Sequence, residues 1–447
     1  MSGIDLSPRA ARRELGPLVE ASDDADIVTA FARAVWSALV EPGDRVAGAL
    51  VGALGAAPAL DGVLAAAAGT TPGSARASAT AAAAEAGLDA GDLAQGYARW
   101  MPRLGGAPAA LAVARRSGAL LITPEDTAWP GRVDDLGPHA PLCLWVRGAP
   151  EALSSARAAV AIVGARAASS YGEHVAAELA AECAATGTVV YSGAAYGIDA
   201  AAHRAALSVG GATVAVMAGG VDRPYPSGNL ELIERIAGAG AGAVIAEVAC
   251  GTAPTKHRFL ARNRLIAALS DATVVVEAGW RSGSLNTAHH AQQIGRPLGV
   301  VPGPITSATS MGCHRLLREG DAICVTGADD VRELIGEGCP VTAVEDRGAA
   351  AGAYTGERTR VLDALSTRRA RTTDDVARRA GFTVDQAAAL LGLLELEGLA
   401  ARRATGWVQR AADAPSAEPS AGAPRSGPRS GPSPRTGHAR AEAATLW

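Results

Sequence analysis

Between residues 158 and 325 the chain repeats one pattern, a short and nearly unbroken apolar run followed by a longer stretch with helical spacing. The apolar runs are Ala158–Val163, Thr188–Tyr191, Ala212–Met217, Ala243–Val248, Ala272–Val276, Leu298–Val301 and Ala322–Val325. Continuous rather than alternating apolar residues belong to strands buried on both faces. Strands that alternate with helices build a mostly parallel sheet covered on both sides. The pattern therefore predicts an α/β fold with a Rossmann-like, doubly wound, mostly parallel sheet. Two further β-rich runs, Ala119–Ile122 and Leu142–Val146, flank a Pro-rich stretch and extend this unit to residues 119–335.

The flanking zones differ. Residues 26–118 are Ala-rich, with helical spacing in Ile27–Leu39 (Ile27, Val28, Phe31, Val35, Trp36, Leu39) and again in Leu93–Leu104 (Leu93, Tyr97, Trp100, Met101). Turns are expected at Pro42-Gly43 and Pro72-Gly73. This zone reads as a separate small helical domain, and helix-hairpin-helix and sterile-alpha-motif bundles fit it equally. Residues 1–25 are expected to be a flexible N-terminus. After a Gly-rich linker at 336–356, residues 357–410 hold three amphipathic stretches (Val361–Leu365, Asp374–Ala380, Val384–Leu396) and a β-like tail, Ala400–Gln409. Three helices followed by a hairpin predict a winged-helix domain. Residues 411–447, rich in Pro, Ser, Gly and Ala with scattered Arg, cannot bury enough apolar surface to offset their ordering entropy and are predicted to be disordered.

Composition narrows the picture only locally. The 447 residues suit two or three domains, and with 4% aromatics the cores must be built from Ala, Val, Leu and Ile. A formal net charge of −4 means that any nucleic-acid partner must be met by a local basic groove. Lys256 is the only lysine among 41 basic residues, a bias that reads first as genomic base composition. The six cysteines form no CxxC pair and fit small buried residues of a reduced compartment. No stretch combines the length and hydrophobicity of a membrane span. A cytoplasmic protein with no membrane partner is expected.

In an open α/β sheet, ligands gather beyond the carboxyl ends of the strands. Here those ends carry Gly164-Ala165-Arg166 with Ser169, then Ser192-Gly193 with Gly197, then Gly219-Gly220, then Ser282-Gly283-Ser284 with Thr287. Helix N-termini built from Gly and Ser favour an anion, because free N–H groups and the helix dipole point at it and glycine lets a phosphate approach. One such turn is weak evidence, whereas several on one sheet edge beside Arg166 point to phosphate binding. The segment Lys256–Arg264 holds Lys256, Arg258, Phe259, Arg262, Asn263 and Arg264 without an acidic residue. On a helix Arg258 and Arg262 share a face at i, i+4, where arginine forks suit phosphates and Phe259 can stack a base.

Catalytic equipment is not evident. Asp199 and His203 stand at i, i+4 but read as a helix first-turn charge and a packed histidine. Glu247 and Glu277 end strands without a partner carboxylate nearby in sequence, and no Walker A or GxSxG motif is present. A non-catalytic protein without cofactor or metal is expected.

Taken in order, Val163-Gly164-Ala165-Arg166, Ser192–Asp199 with Ala202-His203, Gly219–Asp222 with Tyr225-Pro226, Arg262–Ala267, Glu277-Ala278, Ser282–Ser284 with Thr287-Ala288, Gly295–Pro297 and Val301–Gly303 resemble the DNA-processing protein A (DprA/Smf) family. The resemblance is dense over about 120–335. It implies a Rossmann-like domain that binds single-stranded DNA in a basic pocket, dimerises, and loads the RecA recombinase during transformation or recombination. It also implies that Arg166 contacts a phosphate, that Lys256 and Arg262-Asn263-Arg264 line the pocket, and that Ser192, Gly193 and Ser282–Ser284 form its floor. One departure is the would-be recognition helix, Val384–Leu396, which carries Asp385 and Glu395 but no Arg or Lys. Base-specific duplex reading by that helix is not expected. Two other readings compete: a LOG-like nucleotide phosphoribohydrolase, whose Pro-Gly-Gly-x-Gly-Thr-x-x-Glu signature is missing, and a winged-helix transcription regulator.

Overall fold

Nine short strands carry the predicted apolar runs: β1 (Leu120–Ile122), β2 (Leu144–Gly148), β3 (Ala159–Val163), β4 (Val189–Ser192), β5 (Thr213–Val216), β6 (Ala243–Ala246), β7 (Ala272–Val275), β8 (Leu298–Val300) and β9 (Ile323–Cys324). In the computed structural model, residues 4–19, 23–70, 80–85, 87–320, 322–336 and 356–410 are described. The expected turn at Pro72-Gly73, the body of the 336–356 linker and the 411–447 tail lie outside them.

The strands form one sheet in the order β1-β2-β6-β5-β4-β3-β7-β8-β9. From β6 to β9 every neighbouring pair is parallel, while β2 runs antiparallel to β6 and β1 antiparallel to β2. The chain winds outward from β3 through β4, β5 and β6, then returns to the other side of β3 with β7. The reversal at β3/β7 is the topological switch point, where the carboxyl ends of the strands open a crevice.

Alternation within each strand divides the core by face. On one face Val160 and Ile162 of β3 pack with the helices Ser170–Ala185 and Ile198–Ser208. On the other, Ala161 and Val163 pack with the helices Lys256–Ala268 and Ser284–Gln293. Among the described residues no single helix is long and apolar enough to cross a membrane.

Two expectations about the N-terminal part are corrected. Residues 8–15, expected within a flexible N-terminus, form a helix capped by the Ser7 side chain, which accepts from the Ala10 N–H. Ala11, Leu15 and Leu18 recur at i, i+4 and i+7, and this stripe is buried against the helix Asp24–Leu39. The zone at 26–118 is also not a domain apart. Its Trp36, Leu39 and Leu50 share one continuous core with Trp145, Met217, Val244 and Ala246 of the sheet unit. Trp145 Nε1 donates to Ser37 Oγ at 3.1 Å across that seam. Residues 1–340 make one compact unit.

The second unit holds the helices Glu357–Ala364, Thr373–Ala380 and Val384–Leu396, followed by the hairpin β10 (Ala400–Arg403) and β11 (Gly406–Gln409). Val361, Val376, Leu391, Leu394 and Trp407 form its core. The winged-helix expectation holds.

Candidate nucleic-acid interface

A cavity of about 360 Å³ opens at the switch point and is lined by Val163, Gly164, Arg166, Ala195, Asp199, Arg262, Asn263, Ile266, Ser282, Gly283, Ser284 and Thr287. The loop after β3 supplies Gly164 and Arg166, and the turn after β7 supplies Ser282–Ser284. The helix Ser284–Gln293 begins at the cavity wall, so its N-terminal end faces inward. Arg262 and Asn263 come from the helix Lys256–Ala268.

Arg262 is buried and donates from Nη1 to Gly193 O at 2.9 Å and also to Val216 O. Burial pushes its pKa down to about 10, with Asp199 opposing and Arg166 adding to the shift, so it remains a cation at neutral pH. Its guanidinium lies 5.8 Å from the Phe259 ring, and the exposed Arg166 lies 5.1 Å from the same ring. Tyr225, about half exposed, packs against Phe259 at 5.5 Å. Lys256 stands exposed at the start of the same helix. The mouth therefore combines the exposed Arg166, a partly exposed aromatic pair and a buried guanidinium at its back, with the exposed Lys256 at the start of the helix that carries Phe259 and Arg262.

Two glycines make this arrangement possible. A Cβ on Gly193 would lie 2.5 Å from Arg262 Nη2. Gly197, at φ +72°, would place a Cβ 2.4 Å from Ala165 O and 2.6 Å from Arg166 O. Both the backbone angle and the contact require glycine there. We expect Gly197→Ala to destabilise the protein by about 2–5 kcal/mol, summing backbone strain and overpacking. Thermal unfolding checks this, and an unchanged midpoint would show that the loop simply shifts.

Of the predicted residues, Gly164, Arg166, Arg262, Asn263, Ser282, Gly283, Ser284 and Thr287 meet in the cavity lining. Gly193, Gly197 and Phe259 adjoin it through Arg262 and Arg166, and Lys256 stands six residues before Arg262 on the same helix. Four expectations are corrected. Arg264 follows Arg262 by two positions, about 200° around the helix, and is buried in an ion pair with Glu247 at 2.6 Å. Ser192 is turned into the sheet, where its Oγ donates to Ile162 O at 2.7 Å. Ser169 caps the helix Ser170–Ala185 and donates to Glu277 from Oγ at 2.6 Å and from N at 2.9 Å. Gly219 packs beside Thr252 and Pro254. The shared face expected for Arg258 and Arg262 also dissolves, because Arg258 turns away to make a bidentate pair with Glu41 at 2.8 and 2.9 Å.

Asp199, Ala195 and Ile266 were not singled out as pocket residues, nor Tyr225 as part of the mouth. Asp199 accepts from the N–H groups of Gly193 (3.1 Å) and Ala195 (3.4 Å), and burial raises its pKa despite Arg262. The signal for Ile266 was its i+7 spacing from Phe259, with Arg262 and Asn263 between. His203 pairs with Thr213 Oγ1 at 2.7 Å and is held neutral, its pKa pushed down to about 3 by burial. Asp199 and His203 thus serve separate structural partners. No cluster of three metal-ligating side chains occurs among the described residues.

The profile of the family described as DNA recombination-mediator protein A matches residues 120–336, and that of the DprA winged helix domain matches 345–406. The chain is 47% identical over 304 residues to the DprA counterpart of Mycobacterium tuberculosis strain CDC 1551, covering 65% of this chain and 77% of that protein. It is 39% identical over 193 residues to Protein Smf of Escherichia coli K12, covering 43% of this chain and 50% of that protein. Among solved structures, the DNA processing protein A of Streptococcus pneumoniae superposes with TM-score 0.51 at 28% identity, covering 68% of this chain and 97% of that one.

Proposed function

The chain belongs to the DNA-processing protein A (DprA/Smf) family, and from that premise we propose that it binds single-stranded DNA in the switch-point cavity without transforming it. The observation that carries this reading is the mouth, where the exposed Arg166 lies 5.1 Å from the Phe259 ring and Lys256 stands exposed one turn earlier on the same helix, both free to meet phosphates. A splayed base stacks on a partly exposed ring at about 1–3 kcal/mol, an option closed to bases already stacked in a duplex. The helix N-terminus at Ser284 and the buried Arg262 add positive potential behind the strand.

Nucleotide hydrolysis is the weaker reading. The cavity lining contains one carboxylate, Asp199, and its Oδ2 already accepts from two backbone N–H groups. The family resemblance further supports a role in which the bound strand is protected and handed to the RecA recombinase in the cytoplasm, during transformation or recombination. It also supports a homodimer. β9 is one of the sheet's two terminal strands, and its Ile323 and Cys324 are exposed, as an edge that awaits a partner would be.

The test is affinity for a labelled single-stranded oligonucleotide and for its duplex across a salt series. We expect preference for the single strand and a log–log salt slope of about −0.7 per phosphate contacted. Negligible binding, or equal affinity for both forms at the cavity, would overturn the reading.

A further inference from the structure

The winged-helix unit segregates its charge. Within residues 357–410, all seven acidic side chains lie in 357–363 and 374–397, whereas 364–373 and 398–410 carry none and hold six arginines. The arginines on the helices are engaged: Arg358 with Glu397, Arg378 and Arg379 with Asp375, and Arg360 over the Phe382 ring. On the hairpin side, Arg368, Arg369, Arg402 and Arg403 are exposed, and none has a carboxylate partner among the described residues. Glu395 approaches this side, but it accepts from the Arg402 backbone N–H rather than the guanidinium.

Backbone pairing brings the two basic segments together. Arg371 and Trp407 exchange both of their backbone hydrogen bonds, at 2.7 and 2.9 Å, and Gln409 N donates to Ser366 O at 3.1 Å. Trp407 in turn lies opposite Arg402 in the hairpin, whose guanidinium covers the indole at 5.8 Å. The segment 366–371 is thus bridged to β11 on the side opposite β10, with arginines on both flanks of β11. By contrast the helix Val384–Leu396 presents Val384, Leu393 and Leu396 to solvent and has no basic residue.

We propose that this unit contacts the phosphodiester backbone of DNA through the wing and its paired segment, with Arg368, Arg369, Arg402 and Arg403 as phosphate ligands, and without reading sequence. Arginine forks recognise phosphate oxygens, and phosphate contacts fix register but carry no base information. The helix that reads bases in other winged-helix proteins would face away from the work. The proposal takes DNA as the partner from the reading of the cavity, but concerns a separate surface.

The experiment uses the full chain bearing Arg166→Ala, so that the cavity contributes little. In that background Arg368, Arg369, Arg402 and Arg403 are all replaced by Gln, or all by Lys. Binding to two duplexes of unrelated sequence, and to a single strand, is followed against salt. We expect the Gln variant to lose at least tenfold in affinity, with the slope shallower by about 0.9 per lost contact on the duplex or 0.7 on the single strand. The Lys variant should retain binding, and the two duplexes should bind alike. Whichever nucleic acid shows the change of slope is the source of the backbone. An unchanged slope in the Gln variant on both ligands, loss in the Lys variant equal to that in the Gln variant, or selective binding of one duplex would overturn the proposal. Failure of the cavity reading shows separately, as absence of an Arg166-dependent single-strand preference in the unaltered wing.

Discussion

Replacing Arg166 and Lys256 together by alanine should lower single-strand affinity by about 10²- to 10⁴-fold at low salt. Each removes one charge-assisted contact of about 1.5–3 kcal/mol, and 1.4 kcal/mol is tenfold in affinity. The salt slope should become shallower by about 1.4, two contacts at about 0.7 each. Both side chains are exposed, and neither has an ion-pair partner among the described residues, so the thermal midpoint should stay unchanged. That separation is why the pair is preferable to Arg262, whose guanidinium also holds the carbonyls of Gly193 and Val216. A double variant that keeps the wild-type slope would remove the strand from this cavity.

The inner strands were legible because burial on both faces leaves them mostly apolar; Ala159–Val163 is buried along its whole length. The cavity was legible from the glycines and serines that every strand-to-helix turn at the switch point needs. What the sequence hid was the direction of side chains. The run Lys256–Arg264 looks uniformly basic, because the carboxylates that neutralise it lie elsewhere. Glu41 is 217 residues from Arg258, and Glu247 is 17 from Arg264. Ser192 reads as a polar strand end, yet it points back into the sheet. The Ala-rich N-terminal helices gave no hint of their partner, since alanine packs against almost any apolar surface. The shared core appears only in the fold, where Trp36, Leu39 and Leu50 pack with Met217, Val244 and Ala246 and Trp145 reaches Ser37.

Those hidden carboxylates give the N-terminal part a role in the site. The turn at residues 41–43 grips the basic helix at two points. Glu41 holds Arg258 and Arg103, which together keep its carboxyl below the usual range despite burial. Gly43 N donates at 3.1 Å to Glu247 Oε1, the oxygen that also accepts from Arg264. Glu247→Ala should therefore cost about 3–5 kcal/mol, because it strands the buried Arg264 cation and frees the Gly43 N–H. In Arg264 the Nε and Nη1 groups already lack partners among the described residues, so no acceptor among them stands ready to compensate. Replacing the pair by apolar residues, Glu247→Leu with Arg264→Met, should recover most of the loss, as buried ion pairs contribute little against well-packed side chains. Chemical denaturation of the three proteins decides it. If Glu247→Ala alone is neutral, the pair is not what fixes the helix. Arg262 and Asn263 would then owe their place in the cavity to the sheet beneath them.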